Sequence, residues 1–313
     1  MARRLIAGID YPESRPALRT WYSTQEQCRG ALFDIRFPNG WTCPHCGAAE
    51  HWWRRPTVLR CLHCQHEHSL LADTIFEKTR TPLPVWFEAA WSVATSKTGI
   101  SAKELQRDMG LGSYETAWMM LHRFRRAMVF ADRSKLSGFI EMDETLLGGV
   151  EQGGKRGRGT KKVIIVVAVE LVKQRTPGRI RLGIVERANG ANLTQFILDN
   201  VEPGSTIITD GWQAYRAMTR HGYTHEPHTI LGSGQAAHEE LPNVHRVASL
   251  LKRWLMGTHQ GRASRRHLQP YLDEFAFRFN RRRGAKPGLL FHRLLEGAVA
   301  HGPAPYEDIK GGP

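Results

Sequence analysis

The sequence lacks any apolar run approaching the ~20 residues that a membrane-spanning helix requires. Its first ten residues are basic but contain no apolar core of signal-peptide length. Cysteine is scarce, with five residues, and four of them form two close pairs. This odd count with paired spacing predicts metal binding in a reducing cytoplasm rather than a disulfide framework. We therefore expect a cytoplasmic protein that does not bind membranes.

Acidic residues are also in the minority. The 313 residues include 44 lysines and arginines against 30 acidic residues, which gives a formal net charge of +14. A surplus of this size favours binding to a polyanion, because contacts with phosphates release condensed counterions. The alternative is that the charge serves solubility alone. The length allows two or three small domains.

Two C-x₂-C pairs, Cys43-Pro-His-Cys46 and Cys61-Leu-His-Cys64, are separated by fourteen residues. Four thiolates suit the tetrahedral preference of zinc and leave no open position, so we predict a structural zinc ion. The neighbouring histidines, read as surface residues, are the possible substitute ligands: His45, His63, His66 and His68. Cys28 stands alone and is predicted to be a buried or idle thiol.

The next segment, to about residue 133, has a helical pattern. Apolar residues recur at helical spacing at Leu83, Phe87, Ala90, Trp91 and Ala94. A capping box at Ser101-Ala-Lys-Glu104 then opens a short helix, and Gly110–Ser113 forms a turn before a second helix over Tyr114–Met128. The pair resembles a helix-turn-helix, and an ordinary helical hairpin is the equal alternative.

After residue 136 the pattern predicts an α/β unit. The predicted elements are a strand at Phe139–Asp143, strands at Val163–Val169 and Arg179–Val185, a helix at Asn192–Val201, a strand at Ser205–Asp210, and helical stretches at Trp212–Met218 and Val244–Leu255.

Asp143 and Asp210 each end a predicted strand. Carboxylates at the ends of adjacent strands can share divalent cations for two-metal phosphoryl transfer, although two aspartates among 30 acidic residues can equally be unrelated. By strand alternation Glu141 shares the face of Asp143, and Glu144 does not. The helix after Asp210 offers no third acid.

In that third position stands His245, with Lys252 seven residues later. Seven residues complete about two turns, so both lie on one helical face. The alternative for Lys252 is a solvated helix face.

Ordered motifs along residues 26–285 resemble the zinc-ribbon insertion-sequence transposases of the DDE superfamily, the ISXO-like group. The matching stretches are Cys43-Pro-His-Cys46, Met142-Asp-Glu-Thr-Leu-Leu-Gly-Gly149, Gly157-Arg-Gly159 with its following lysines, Thr209-Asp-Gly-Trp-Gln-Ala-Tyr215, Ser249-Leu-Leu-Lys-Arg253, Gly257-Thr-His259 and Tyr271-Leu-Asp-Glu-Phe-Ala-Phe-Arg-Phe-Asn-Arg281.

The resemblance implies metal-dependent DNA cleavage and strand transfer at the ends of an insertion sequence, in a ribonuclease-H-like mixed-sheet core. Asp143 and Asp210 would hold Mg²⁺ or Mn²⁺. His245 falls where many relatives have Glu, and we expect it to act as a functional third ligand. Lys252 would contact DNA phosphate, with Ser249 as a bystander. Double-stranded DNA is the expected partner, bound by a homodimer or higher multimer.

Two basic segments are predicted to contact DNA phosphates without specifying sequence. The residues concerned are Lys155, Arg156, Arg158, Lys161 and Lys162 in a Gly-rich loop, and Arg281, Arg282 and Arg283 near the C-terminus.

We accordingly expect an N-terminal extension at 1–25, a zinc ribbon at 26–78, a helix-turn-helix-like DNA-binding segment at 79–135, a catalytic core at 136–290 and a C-terminal tail at 291–313. Two other functions remain open: a DNA-binding regulator with an inactive core, and a different ribonuclease-H-like nuclease such as a junction resolvase.

Overall fold

The computed structural model describes residues 5–130, 133–148, 162–228, 240–260, 264–283 and 286–311. The chain divides into two compact units. The first comprises Met1–Ala131 together with Arg283–Pro313, and the second comprises Asp132–Arg282. No helix among the described residues is both long and apolar enough to cross a membrane.

The first unit combines a small sheet with helices. Its elements are helices α1 (Arg15–Trp21) and α2 (Gln25–Arg36), strands β1 (His51–Arg55), β2 (Val58–Cys61) and β3 (Glu67–Ser69), helices α3 (Leu83–Thr95), α4 (Ala102–Asp108) and α5 (Tyr114–Ala127), and, from the C-terminal segment, α9 (Pro287–Ala300) and α10 (Tyr306–Gly311). The three strands form an antiparallel sheet in the order β1-β2-β3.

Local caps explain where the helices of this unit begin. The Ser101 hydroxyl accepts a hydrogen bond from the Glu104 amide at 3.1 Å, which is one of the two bonds of the predicted capping box. Ser113 caps α5 in the same way through the Thr116 amide, also at 3.1 Å. Each hydroxyl satisfies one of the amides that a helix leaves unpaired at its N-terminus, so the turn between α4 and α5 lies where the sequence predicts it.

Helix α9 packs closely against α5, because the helix presents a glycine at the contact. A Cβ atom added at Gly297 would overlap the carbonyl group of Ala127. Phe291, Leu294 and Leu295 of α9 are fully buried. The C-terminal tail expected from residue 291 therefore begins inside a packed helix.

The second unit is a mixed sheet with helices on both faces. It consists of β4 (Phe139–Leu147), β5 (Val163–Val172), β6 (Thr176–Val185), α6 (Gly190–Asn200), β7 (Thr206–Thr209), a 3-10 helix (Gln213–His221), β8 (Thr224–Pro227), α7 (Pro242–His259), a short 3-10 helix (Arg265–His267) and α8 (Leu268–Asn280).

The five strands lie in the order β6-β5-β4-β7-β8. β4, β5 and β6 pair antiparallel, whereas β4 pairs with β7 and β7 with β8 in parallel. An antiparallel meander that continues through its first strand into two parallel strands is the ribonuclease-H-like topology. The predicted fold class is confirmed, and β8 is a strand that the sequence analysis did not identify.

Alternation along β5 divides the core between the two faces of the sheet. Ile165, Val167 and Val169 are fully buried against α7 and α8. Val166 and its neighbours on the opposite face pack against α6 and Tyr215 of the 3-10 helix. Burial on both faces explains the continuous β-branched run in this strand.

Candidate active site and zinc site

The four paired cysteines converge at one end of the small sheet. Their sulfur atoms all lie within 4.8 Å of one another. The Sγ atoms of Cys43 and Cys64 are 3.6 Å apart, as are those of Cys46 and Cys61. Four sulfur donors at this spacing fit a tetrahedral zinc ion and leave no open coordination position.

Each knuckle turns back on itself just after its second cysteine. Gly47 and Gln65 occupy equivalent positions, with φ of 76° and 63°. Their amides donate to the carbonyl groups of Cys43 and Cys61 at 2.9 and 3.1 Å. These turns aim both sulfurs of a pair at the same point.

The neighbouring histidines stay outside this group. His45 and His66 are exposed and stack on one another with ring centroids 5.6 Å apart. His63 is exposed and His68 is half-buried on β3. Cys28 is buried in α2, and burial raises the pKa of its thiol to about 12, which fits an unreactive thiol.

Asp143 lies on β4, and Asp210 directly follows β7, the strand beside it. The parallel register of β4 and β7 pairs Phe139 with Thr206 and Glu141 with Ile208. Continued by two residues, it sets Asp143 beside Asp210, with the strands about 4.8 Å apart. Because Phe139 and Ile208 face the core under α7 and α8, alternation directs both aspartates to that face.

Main-chain amides orient both carboxylates. Asp143 Oδ1 accepts from the Glu144 amide at 2.7 Å. Asp210 Oδ1 accepts from the Trp212 amide at 2.9 Å. Both side chains are half-buried. Two oriented carboxylates on neighbouring strands suit a hard divalent cation such as Mg²⁺ or Mn²⁺.

Tyr215 lies close to Glu144 and to the two aspartates. Its hydroxyl donates to Glu144 Oε1 at 2.6 Å, and the ring is buried. Burial raises the pKa of Tyr215 well above its usual value, and Glu144, then Asp143 and Asp210, add to the shift by charge repulsion. The phenol therefore stays protonated and neutral next to three carboxylates.

His225 on β8 adjoins the second aspartate. Its Nε2 lies 2.9 Å from Thr209 Oγ1, which also accepts from the Gly211 amide at 3.1 Å. Burial, followed by the charge of Arg216, lowers the pKa of His225, whereas Asp210 opposes this effect. Neither Tyr215 nor His225 was singled out from the sequence; Tyr215 appeared only as the end of a motif.

The third predicted member of the site lies on α7. His245 is half-buried in the first turn, and Lys252 and Ser249 are exposed further along. Among the described residues the four cysteines form the sole compact metal-ligating group. Asp143 thus lies on β4 and Asp210 just after the adjacent strand β7, and His245 lies in the first turn of a helix that packs on the same face of the sheet.

Two of the three predicted DNA-contacting arginines near the C-terminus also make contacts within the protein. Arg281 stacks over Phe277 at 4.0 Å. Arg282 stacks over Phe279 at 3.7 Å and donates to the Gly178 carbonyl at 3.1 Å. Arg283 is exposed. Arg282 therefore helps to hold the C-terminal end of α8 against the first residues of β6.

One basic residue of the predicted loop, Lys162, is among the described residues. Lys162 is half-buried, and its Cγ would lie 3.2 Å from a Cβ atom at Gly148. The other predicted contacts of this loop lie outside the described residues: Lys155, Arg156, Arg158 and Lys161.

A zinc ribbon followed by a ribonuclease-H-like core is the architecture of a zinc-ribbon transposase. Comparison of the sequence with family models specifies the group. Residues 135–280 match the ISXO2-like transposase domain, and residues 23–67 match the transposase zinc-ribbon domain. The chain therefore carries both domains of this transposase group, and the resemblance predicted from its motifs is confirmed.

A relative from Halobacterium salinarum, described as an uncharacterized protein in transposable element ISH50, is 26% identical over 296 residues. The alignment covers 85% of this chain and 94% of the relative.

Two solved structures are also similar. The catalytic core domain of BIV integrase matches with 19% identity and a TM-score of 0.33, over 49% of this chain and 89% of that one. Mos1 transposase, in a paired-end complex with the left transposon end, matches with 14% identity and a TM-score of 0.31, over 68% of this chain and 75% of that one. Because both scores are low, the fold class rests on the strand order of this chain.

Proposed function

We propose that the chain cleaves and joins DNA strands at the ends of an insertion sequence, using divalent metal ions held by Asp143 and Asp210. The observation that carries this proposal is the parallel register of β4 and β7, which, continued by two residues, sets Asp143 level with Asp210. Their carboxylates face α7, the helix that bears His245 and Lys252. When bound, Mg²⁺ or Mn²⁺ ions activate the attacking oxygen and stabilise the leaving oxygen.

In this proposal the chain's own side chains divide the remaining work. His245 contributes a nitrogen ligand or accepts a proton, in the position that many relatives fill with Glu. Lys252, exposed about two turns further along α7, holds a DNA phosphate near the reacting bond. Neither role requires a residue outside the second unit.

DNA binding is assigned to the rest of the chain. The helices α4 and α5 and the zinc ribbon would hold the element ends. Lys155, Arg156, Arg158, Lys161, Lys162 and Arg283 would contact phosphates, which position the duplex without reading its sequence. Because an insertion sequence has two ends, we propose that at least two copies of the chain assemble on DNA.

The deciding experiment uses the purified full chain and duplex DNA carrying the sequences that flank its own gene, with and without Mn²⁺. The wild-type protein should cut one strand at each element end only when Mn²⁺ is present. Asp143→Asn and Asp210→Asn should each abolish cleavage but retain DNA binding, because the amide keeps the shape and loses the charge. Asp199→Asn, at an exposed position on α6 of the same unit, is the matched control and should cleave like the wild type.

The substitution of His245 for the glutamate of many relatives favours one alternative, a DNA-binding protein with an inactive core. That function would appear in the same experiment as end-specific binding without Mn²⁺-dependent cleavage. Substantial cleavage by either asparagine variant would instead remove its aspartate from the mechanism.

A further inference from the structure

Glu141 is a buried acid in the middle of the large sheet. Its side chain is only 4% exposed, and it lies on β4 two residues before Asp143, on the same face. A buried carboxylate needs hydrogen-bond donors. All of the donors that the structure gives it come from one place, the first turn of α7.

Three hydrogen bonds join Glu141 to that turn. Its Oε2 accepts from the main-chain amides of Asn243 and Val244 at 2.8 and 2.9 Å. Its Oε1 accepts from Asn243 Nδ2 at 2.7 Å. Asn243 is itself buried, and its Nδ2 also lies 3.3 Å from the Arg175 carbonyl in the β5–β6 turn.

Helix α7 has no side-chain cap of its own. Leu241 at the N-cap position carries no acceptor, and Pro242 follows it without an amide hydrogen. The amides of Asn243 and Val244 are thus the first two that need a partner, and Glu141 supplies it from another element. The next residue is His245, whose amide makes the first bond within the helix, to the Leu241 carbonyl at 3.2 Å.

We propose that Glu141 is a positioning residue: it fixes the start of α7 on β4 and so sets the distance and rotation of His245 relative to Asp143. This inference rests on the proposed function of these two residues. The two carboxylate oxygens of Glu141 bind main-chain and side-chain donors from two consecutive residues of α7. These contacts restrain rotation of the helix about its axis. A slip of one residue would turn His245 by about 100° away from the sheet edge.

The helix does not depend on Glu141 to remain folded. Val244, Val247, Leu251 and Leu255 are buried against the sheet and hold α7 in place through apolar contact. Loss of the carboxylate contacts should therefore loosen the register of the first turn rather than unfold the unit. Because the register of the first turn can change without unfolding, a positioning role can be distinguished from a structural one.

The experiment swaps the hydrogen-bond donor and acceptor between Glu141 and Asn243. In Glu141→Gln an amide NH₂ replaces the oxygen that faces Asn243 Nδ2, and in Asn243→Asp two carboxylates oppose one another. Each single variant should lower the rate of Mn²⁺-dependent cleavage at saturating DNA by roughly 10–100-fold, the usual loss for a group that orients a ligand. The Kd for DNA should not change.

The double variant Glu141→Gln/Asn243→Asp restores a matched donor and acceptor and should recover most of the lost rate. Glu170→Gln is the control. Glu170 lies on β5 and accepts from Arg179 Nη2 and from the Ser137 amide, so its loss should affect the unfolding temperature but not the cleavage rate.

Hydrogen exchange of the Asn243 and Val244 amides gives a readout that does not require cleavage. Both amides should exchange faster in the single variants and recover in the double variant, with exchange in β5 unchanged. Single variants that cleave at the wild-type rate, or a double variant that recovers neither rate nor protection, would overturn the inference.

Wild-type protein that binds but does not cut DNA would refute the proposed function and the catalytic part of this inference. Fast exchange confined to the single variants would still support the contact between Glu141 and α7.

Discussion

The hydrogen bond between Tyr215 and Glu144 allows a direct test of whether this phenol donates to a charged carboxylate. Tyr215→Phe removes one oxygen and keeps the ring, so the packing of a side chain that is 1% exposed is preserved. The oxygen donates to Glu144 at 2.6 Å. A hydrogen bond to a charged group contributes about 1.5–3 kcal/mol, and the variant should lose stability by that amount.

For a unit of this size each kcal/mol lowers the midpoint of thermal unfolding by about 2–4 °C, so the expected decrease is roughly 3–12 °C. Tyr223→Phe is the matched control. Tyr223 is 4% exposed on the same side of the sheet, and its hydroxyl donates to a neutral acceptor, the Val201 carbonyl, at 2.9 Å. This variant should lose only about 0.5–1.5 kcal/mol.

The pH dependence adds a second readout. The pKa of Tyr215 is raised in the folded state by burial and by Glu144. A raised pKa means that the folded state holds the proton more tightly, so its contribution to stability is complete below the unfolded pKa of about 10 and is lost at higher pH. Thermal unfolding from pH 8 to 11 should show this loss in the wild type and less of it in Tyr215→Phe.

The measurement is calorimetry of the full chain, with circular dichroism as a second probe. An effect of Tyr215→Phe no larger than that of Tyr223→Phe would refute the assignment of a charged acceptor to this phenol. Equal alkaline sensitivity in the wild type and in Tyr215→Phe would refute the pKa argument independently.

Two further predictions concern the metal sites. Zinc chelation, or Cys61→Ser, should unfold residues 43–64 and weaken end-specific DNA binding, because four thiolates close the site; metal-free protein that keeps specific binding would contradict this. His245→Ala should lose most cleavage, and His245→Glu should shift the metal preference from Mn²⁺ toward Mg²⁺, since carboxylate oxygen is the harder ligand; full activity in the alanine variant would make His245 a bystander.

What the sequence predicts well is local. The zinc ligands lie in two C-x₂-C pairs, and each knuckle places its own sulfurs, so spacing alone is sufficient. The β-branched run before Asp210 correctly predicts a strand that ends there. Asp143 was also predicted to end a strand, but β4 continues to Leu147 and Asp143 lies in its middle. The N-cap at Ser101 is local in the same sense.

What the sequence does not predict depends on long-range contacts. Glu141 and Asn243 are 102 residues apart. Strand alternation predicts on which face of the sheet Glu141 lies but not which residue it binds. The run from Arg281 to Arg283 looks uniform in sequence. In the structure Arg282 nevertheless donates to the Gly178 carbonyl, a contact between residues 104 positions apart that the sequence does not predict.

Alternation along β4 also separates the acids by function. Asp143 and Glu141 face α7, where the aspartate meets Asp210 and Glu141 holds the helix. Glu144 faces the opposite core, where Tyr215 holds its carboxylate. A third acid adjacent in sequence is thereby kept on the other side of the sheet, since a carboxylate bound to a buried phenol cannot turn toward α7 without leaving that donor unpaired. In the proposed site the third ligand comes instead from α7, whose first turn carries His245.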